Sequence, residues 1–126
     1  MRIIIFSFIC LLVFSLSAFA EGNPRNGRQI FKKKCKACHR LTSSKFVGPG
    51  LAGVTKRRSE EWLHKWIQDP KAMKKKGDPI AVAIDKKYKK NMRKYKLMQI
   101  KNNRDDIIAF LKEMDKKNLE MKKTQK

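Results

Sequence analysis

Cys35-Lys36-Ala37-Cys38-His39 is the stretch of sequence on which the fold depends. Two thiols three positions apart, followed at once by an imidazole, form the pattern of a c-type haem attachment site. Each thiol of such a site adds to one vinyl group of haem and forms a thioether, and the adjacent histidine presents a ring nitrogen to the iron. The pattern therefore predicts one covalent haem c, bound through Cys35 and Cys38 and ligated by His39.

Cys-x-x-Cys also occurs in zinc sites and in thiol redox sites. A zinc site needs two further ligands, and beyond residue 20 the chain has no other cysteine and one other histidine, His64. A thioredoxin-like fold needs alternating strands and helices, and no convincing strand is predicted here. Two cysteines of an exported chain would ordinarily form a disulfide, whereas haem attachment uses both thiols. These observations favour haem.

The first twenty residues have the pattern of a secretory signal peptide. Arg2 gives a positive start, residues 3–14 are apolar, and Ala18-Phe19-Ala20 places small residues at a cleavage point before Glu21. The alternative is an uncleaved membrane anchor, although the apolar run is shorter than the ~20 residues that span a bilayer. We expect residues 1–20 to be removed and residues 21–126 to form one domain in the periplasm, free or peripheral on the membrane.

The chain is strongly basic, with 32 Lys and Arg against 11 Asp and Glu and a net charge of +21. Arg2 is the only charged residue before Glu21, so the mature chain keeps a charge of +20. A field of this sign attracts acidic proteins and anionic lipid headgroups. It also suits nucleic acid, but export separates the protein from nucleic acid. We expect acidic redox proteins or respiratory complexes as partners, with an anionic membrane surface as a further candidate.

Capping residues and prolines indicate four helices along the mature chain. They are predicted to start at Asn26, at Ser59, at Pro79 and at Asn103, with ends at Asp69-Pro70 for the second and near Lys117 for the last. Residues 72–77 are predicted as a lysine-rich connector, and residues 118–126 as a basic, frayed tail. The sequence therefore predicts an all-α fold.

The helix that follows Ser59 has one apolar face and carries the second histidine. Trp62, Leu63, Trp66 and Ile67 share the apolar face, and His64 lies on the other side of the helix. We therefore expect His64 to point to solvent rather than to ligate the iron.

These features together resemble the class I cytochrome c family. In that family a glycine and an aromatic residue of the N-terminal helix pack crosswise against an aromatic residue of the C-terminal helix, and Gly27, Phe31 and Phe110 match this pattern. Ile108-Ala109-Phe110-Leu111 resembles the C-terminal Ile-Ala-Tyr-Leu of the family. The resemblance extends from Gly27 to Lys112, and it implies three to five helices wrapped around one covalently attached haem.

The segment Val47-Gly48-Pro49-Gly50-Leu51 resembles the Gly-Pro-x-Leu loop of the same family. By this resemblance the carbonyl of Pro49 would accept a hydrogen bond from His39, which orients the ring and fixes its tautomer. Leu51 would pack on the face of the haem. Both residues are therefore expected at the cofactor.

The resemblance also implies a methionine ligand on the second face of the iron, in the loop before the C-terminal helix. Met92 lies 18 positions before Phe110, near the separation in the family, whereas Met98 lies only 12 positions before it. We expect Met92 to be the ligand, with Met98 as the second choice. The sequence departs from the usual Met-Pro of the family at Arg93, so the loop is less fixed than in relatives.

The expected function is that of a monomeric one-electron carrier, not an enzyme. A thioether in the sixth position completes the coordination of the iron and favours electron transfer over the binding of small molecules. The alternative is a haem enzyme or sensor, in which peroxide or a gas reaches an open or exchangeable sixth site. The departure at Arg93 keeps this alternative open.

Overall fold

A computed structural model describes residues 21–125, which form six α-helices and no strand. The all-α class predicted from the sequence is confirmed, and two short helices bring the number above the predicted three to five. A π-helical turn, Phe31–Cys35, continues the first helix, and a 3-10 turn, Lys96–Gln99, precedes the last. The α-helices are Pro24–Ile30 (α1), Val54–Arg57 (α2), Glu60–Gln68 (α3), Pro70–Lys75 (α4), Pro79–Tyr88 (α5) and Lys101–Thr124 (α6).

The signal peptide predicted for residues 1–20, and the membrane anchor weighed against it, lie outside the described residues. Between residues 21 and 125, none of the helices has the length and apolar character needed to cross a bilayer. The longest, α6, has 24 residues, and charged side chains recur along all of it.

α1 begins earlier than predicted. Asn23, and not Asn26, caps the helix, since its side-chain oxygen accepts hydrogen bonds from the backbone N–H groups of Arg25 (3.0 Å) and Asn26 (3.4 Å). Pro24 occupies the first turn, where its missing N–H costs no hydrogen bond. The amide of Asn26 instead donates to Asp106 of α6 at 2.6 Å. The N-cap of α1 therefore lies three residues before the predicted position.

The predicted start of α3 is confirmed, because the hydroxyl oxygen of Ser59 accepts a hydrogen bond from the N–H of Trp62 at 3.2 Å. The lysine-rich stretch after α3 is a helix and not a connector. Asp69 ends α3 and also caps α4, where its Oδ1 accepts from the N–H of Ala72 at 2.9 Å. Asp69 thus ends α3 with its backbone N–H and caps α4 with its carboxylate, so a single residue separates the two helices.

α6 is longer than predicted at both ends. It begins at Lys101, so Asn103 lies inside the first turn, where its amide donates to the carbonyl of Leu97 at 2.8 Å. The helix continues to Thr124, and the basic residues from 118 onward, predicted as a frayed tail, belong to it. The lysines of this segment are good helix formers, so a charged sequence extends the helix into solvent.

α1 crosses α6 at Gly27. A Cβ atom on Gly27 would lie 2.0 Å from the carbonyl oxygen of Asp106 and 2.8 Å from Cβ of Phe110, so only glycine allows this approach. One turn further on, the rings of Phe31 and Phe110 pack with their centroids 5.5 Å apart. The predicted crosswise contact is confirmed. Beneath it lies the core, whose buried residues are Ile30, Phe31, Leu63, Ile67, Met98, Ile107, Ile108, Phe110 and Leu111.

A buried carboxylate joins the middle of the chain to α6. Asp115 is 3% exposed and accepts hydrogen bonds from the backbone N–H groups of Gly53 (2.5 Å) and Thr55 (2.9 Å). The hydroxyl of Thr55 donates a third hydrogen bond at 2.7 Å. Three donors offset the cost of removing this carboxylate from water. They also hold the four-residue helix α2 against α6.

Candidate haem-binding site

A cavity of about 890 Å³ lies between the Cys-x-x-Cys-His segment, α3, α5 and the loop before the 3-10 turn. Pockets that hold cofactors usually measure about 300–1,000 Å³ and are lined mostly by apolar side chains with a few polar groups. Apolar side chains also dominate here. Those of α3 and α5 are Trp62, Leu63, Trp66, Ile67, Pro79, Ile80, Ala83, Ile84 and Tyr88.

The attachment motif forms part of the wall of this cavity. Cys35 ends the π-helical turn, and the N–H groups of Cys38 and His39 both donate to its carbonyl oxygen, at 3.0 Å and 2.9 Å. This tight turn brings all three side chains to the cavity. Both thiols are free, Cys35 half-buried and Cys38 exposed. Burial, with a smaller contribution from Cys38, raises the pKa of the Cys35 thiol to about 11, so this group is a neutral thiol near pH 7.

His39 is oriented by the loop that contains Pro49. Its Nδ1 lies 2.9 Å from the carbonyl oxygen of Pro49 and donates a hydrogen bond to it, which leaves Nε2 as the unprotonated nitrogen. Burial lowers the pKa of His39, and the bond to Pro49 opposes this change. A Cβ atom on Gly48 would lie 2.8 Å from Cε1 of His39, so a glycine is needed beside the ring. A neutral, oriented imidazole of this kind is suited to bind iron.

Two methionines line the cavity and differ in their surroundings. Met92 is half-buried in an irregular loop, residues 89–95, between α5 and the 3-10 turn. Met98 is 2% exposed and belongs to the hydrophobic core. Met98 therefore lies on the wall of the cavity that the core forms, and Met92 lies on the wall formed by the loop.

The remaining predicted contacts lie at the edges of the cavity. Leu51 is half-buried, lines the cavity and packs against the core. Trp62 and Trp66 stack with their centroids 5.2 Å apart, and the indole N–H of Trp62 donates to the carboxylate of Asp78 at 3.1 Å. The apolar face predicted for α3 thus serves both regions, since Leu63 is buried in the core and lines the cavity together with the tryptophans.

His64 packs against α6, so the prediction that it points to solvent is wrong. Its side chain is 19% exposed, and Nε2 lies 3.1 Å from Oδ1 of Asp105. Burial lowers the pKa of His64, while the Asp105 carboxylate acts in the opposite direction. α6 covers the polar side of α3, and the apolar–polar pattern of the α3 sequence cannot predict that another helix packs there.

Basic side chains from separate parts of the chain meet around the cavity. Lys34 precedes the attachment motif, Arg57 and Arg58 end α2, and Lys90 and Arg93 flank Met92. The sequence shows lysine-rich runs, but it does not show that these runs converge on one site.

Comparison with known proteins gives consistent matches. A family model described as Cytochrome c matches residues 24–115, which include all residues that line the cavity. A cytochrome c2 from Rhodomicrobium vannielii is 36% identical over 110 residues, which cover 79% of this chain and 86% of that protein. A cytochrome c-553-like protein from Synechocystis is 37% identical over 43 residues, and this match spans 34% of the chain and 41% of that relative.

A solved structure supports the same comparison. The cytochrome c from Rhodothermus marinus superimposes with a TM-score of 0.69 at 28% sequence identity. The match covers 75% of this chain and 78% of that one. Sequence and structure therefore point to the same group of proteins.

Proposed function

The chain belongs to the cytochrome c family, and we propose that it is a one-electron carrier with a haem c attached through Cys35 and Cys38 and ligated by His39 and Met92. Proteins of this family bind haem covalently and transfer electrons. The observation that carries the proposal is the cavity, because the two thiols, the imidazole and the thioether all line it. The single turn that contains both thiols matches the order of groups needed for attachment.

The haem supplies the iron that changes oxidation state. The protein keeps His39 neutral by burial and orients its ring through the carbonyl of Pro49, so Nε2 is available to the iron. Leu51 and the tryptophans of α3 line the cavity and would exclude water from a bound haem. Exclusion of water reduces the solvent rearrangement that accompanies a change of charge on the iron. These contacts suit a group that gains and loses electrons in place.

Met92 supplies the sixth ligand in this proposal. A methionine opposite a histidine raises the reduction potential of a cytochrome and leaves no open position for small molecules. We therefore expect the reduced holoprotein not to bind CO readily. Optical spectra of the oxidised, reduced and CO-treated protein test this expectation. Rapid and tight CO binding by the wild-type protein would contradict the carrier mechanism.

A second candidate function is that of a haem enzyme or sensor with an exchangeable sixth site. It is favoured by one observation: Met92 lies in an irregular loop with Arg93, which also lines the cavity, in place of the usual proline. In this case peroxide or a gas would displace the methionine. The CO experiment distinguishes the two candidates directly.

The partners that we propose are acidic redox proteins or respiratory complexes in the periplasm, which a monomer reaches after export. The charge of the mature chain and the basic side chains around the cavity support this choice. An anionic membrane surface is the other target for the same charge. The segment that would direct export, residues 1–20, is supported by its sequence pattern alone.

Electrostatic steering predicts that electron transfer to an acidic partner slows as salt is added. The Debye length falls to about 10 Å at 0.1 M salt, and steering accelerates association by ~10–10³-fold. We expect the second-order rate of electron transfer to decrease about tenfold or more when salt is raised from a low concentration to 0.1 M, as measured by stopped-flow mixing. Reduction by an uncharged small molecule is the control and is expected not to change. A rate with the acidic partner that is indifferent to salt would instead assign the charge to another role, such as membrane binding.

A further inference from the structure

The loop that carries Met92 is tied to α4 on both sides of the methionine. After it, Nζ of Lys94 lies 2.6 Å from Oδ2 of Asp69. Before it, the side-chain oxygen of Asn91 accepts a hydrogen bond from Nζ of Lys74. Asp69 caps α4 and Lys74 lies in its last turn, so one short helix holds both ends of the segment.

The two side chains of α4 are themselves fixed. Oδ1 of Asp69 accepts from the N–H of Ala72, which directs Oδ2 toward Lys94. Nζ of Lys74 lies 2.6 Å from Oδ1 of Asp85 in α5, and the Lys74 side chain is only 18% exposed. Partly buried charges are screened less than exposed ones. Each of these two α4 side chains thus has a second partner besides the loop.

The far end of the loop is attached to the haem segment. The hydroxyl of Tyr95 donates to the carbonyl of Lys34, the residue before Cys35, at 3.1 Å. The loop thus bridges α4 and the wall of the cavity that contains the thiols. Neither Asp69 nor Lys74 lines the cavity, so any effect of these residues on the cofactor acts through the loop.

We propose that Asp69 is a positioning residue that holds Met92 toward the iron through its ion pair with Lys94. This inference rests on the proposed function, in which Met92 is the sixth ligand. Arg93 stands where the family usually has a proline, and a loop without proline has more conformations available when it is released. The side-chain ties to α4 restrict those conformations from outside the loop.

The test uses Asp69→Asn and Lys94→Leu, each of which removes the ion pair. Asparagine caps helices as well as aspartate does, so α4 keeps its cap in D69N. Lys94 caps no helix, so K94L remains informative even if α4 is weakened in D69N, and leucine offers the iron no ligand. We expect the CO association rate of the reduced holoprotein to rise about three- to fivefold in each variant. The methionine–ferric charge-transfer band should also disappear at a lower temperature than in the wild type.

Lys65→Leu is the matched control. It removes one positive charge and the exposed pair with Glu61 in α3, at 2.5 Å, without touching the loop. We expect wild-type CO rates and a wild-type band in K65L. The double variant D69N/K94L should show no more than the effect of one substitution, because both remove the same pair.

The outcomes separate this inference from the proposed function. A wild-type charge-transfer band together with unchanged CO rates in D69N and K94L would overturn the positioning role and leave Met92 as the ligand. A wild-type holoprotein that lacks the band and binds CO at once would refute the proposed ligation, and with it the positioning role.

Discussion

Met92→Ala is expected to open the sixth position of the iron. Met92 is half-buried on an irregular loop of the cavity wall, so its removal deletes the thioether with little loss of packing. The variant should lose the methionine–ferric charge-transfer band, and its reduced form should bind CO. Both changes are read from optical spectra of the purified holoprotein, with the wild type measured beside it.

Met98→Ala is the matched comparison. Met98 is 2% exposed within the core, and truncation of a buried methionine typically costs about 2–5 kcal/mol of the free energy of unfolding. We expect this variant to keep the charge-transfer band and to unfold at a lower denaturant concentration. Loss of the band in M98A, and its survival in M92A, would identify Met98 as the ligand.

Gly27→Ala is expected to separate α1 from α6. The new Cβ would lie 2.0 Å from the carbonyl oxygen of Asp106, a backbone atom that can move only if α6 moves. We expect a loss of about 3 kcal/mol or more, which is a large part of the ~5–15 kcal/mol that stabilises a domain. Denaturant unfolding of the holoprotein, followed by circular dichroism, measures this change.

Gly77→Ala provides the control for this substitution. Gly77 has φ +76°, but no atom lies within 4 Å of an added Cβ. The cost is therefore that of the left-handed conformation alone, about 1–2 kcal/mol. Similar losses in G27A and G77A would show that crowding at the helix crossing is not important.

Features that depend on residues close together in the chain could be predicted from the sequence. The haem segment is one turn long, so the spacing of Cys35, Cys38 and His39 in the sequence is enough to predict that their side chains lie close together. Ser59 caps α3 as its sequence indicates, because capping involves only the next three residues. The crossing at Gly27 was predictable for another reason, since it follows from resemblance to a family.

Contacts between distant residues leave no local pattern. Asp115 holds Thr55 although 60 positions separate them, and Asp69 reaches Lys94 across 25. No periodicity in the sequence indicates either pair. The predicted orientation of His64 was wrong for the same reason, because the helix that covers it, α6, comes from another part of the chain. The cap of α1 is a different case, because Pro24 after Asn23 is a local signal for the true cap, whereas the prediction placed the cap at Asn26.

The crossing of α1 and α6 also links the fold to the cavity. The N–H of Asn23 donates to Asp106 at 2.6 Å across 83 positions of the chain, and closing a loop of that length costs about 4 kcal/mol of chain entropy. Only the contacts between the two helices compensate for this entropy cost, so α1 and α6 lose their packing together. Because Ile107 and Leu111 of α6 line the cavity, detachment would open it at the same moment. Folding and the shielding of the cavity from water therefore form a single cooperative unit, while a covalently attached haem would stay on the unfolded chain.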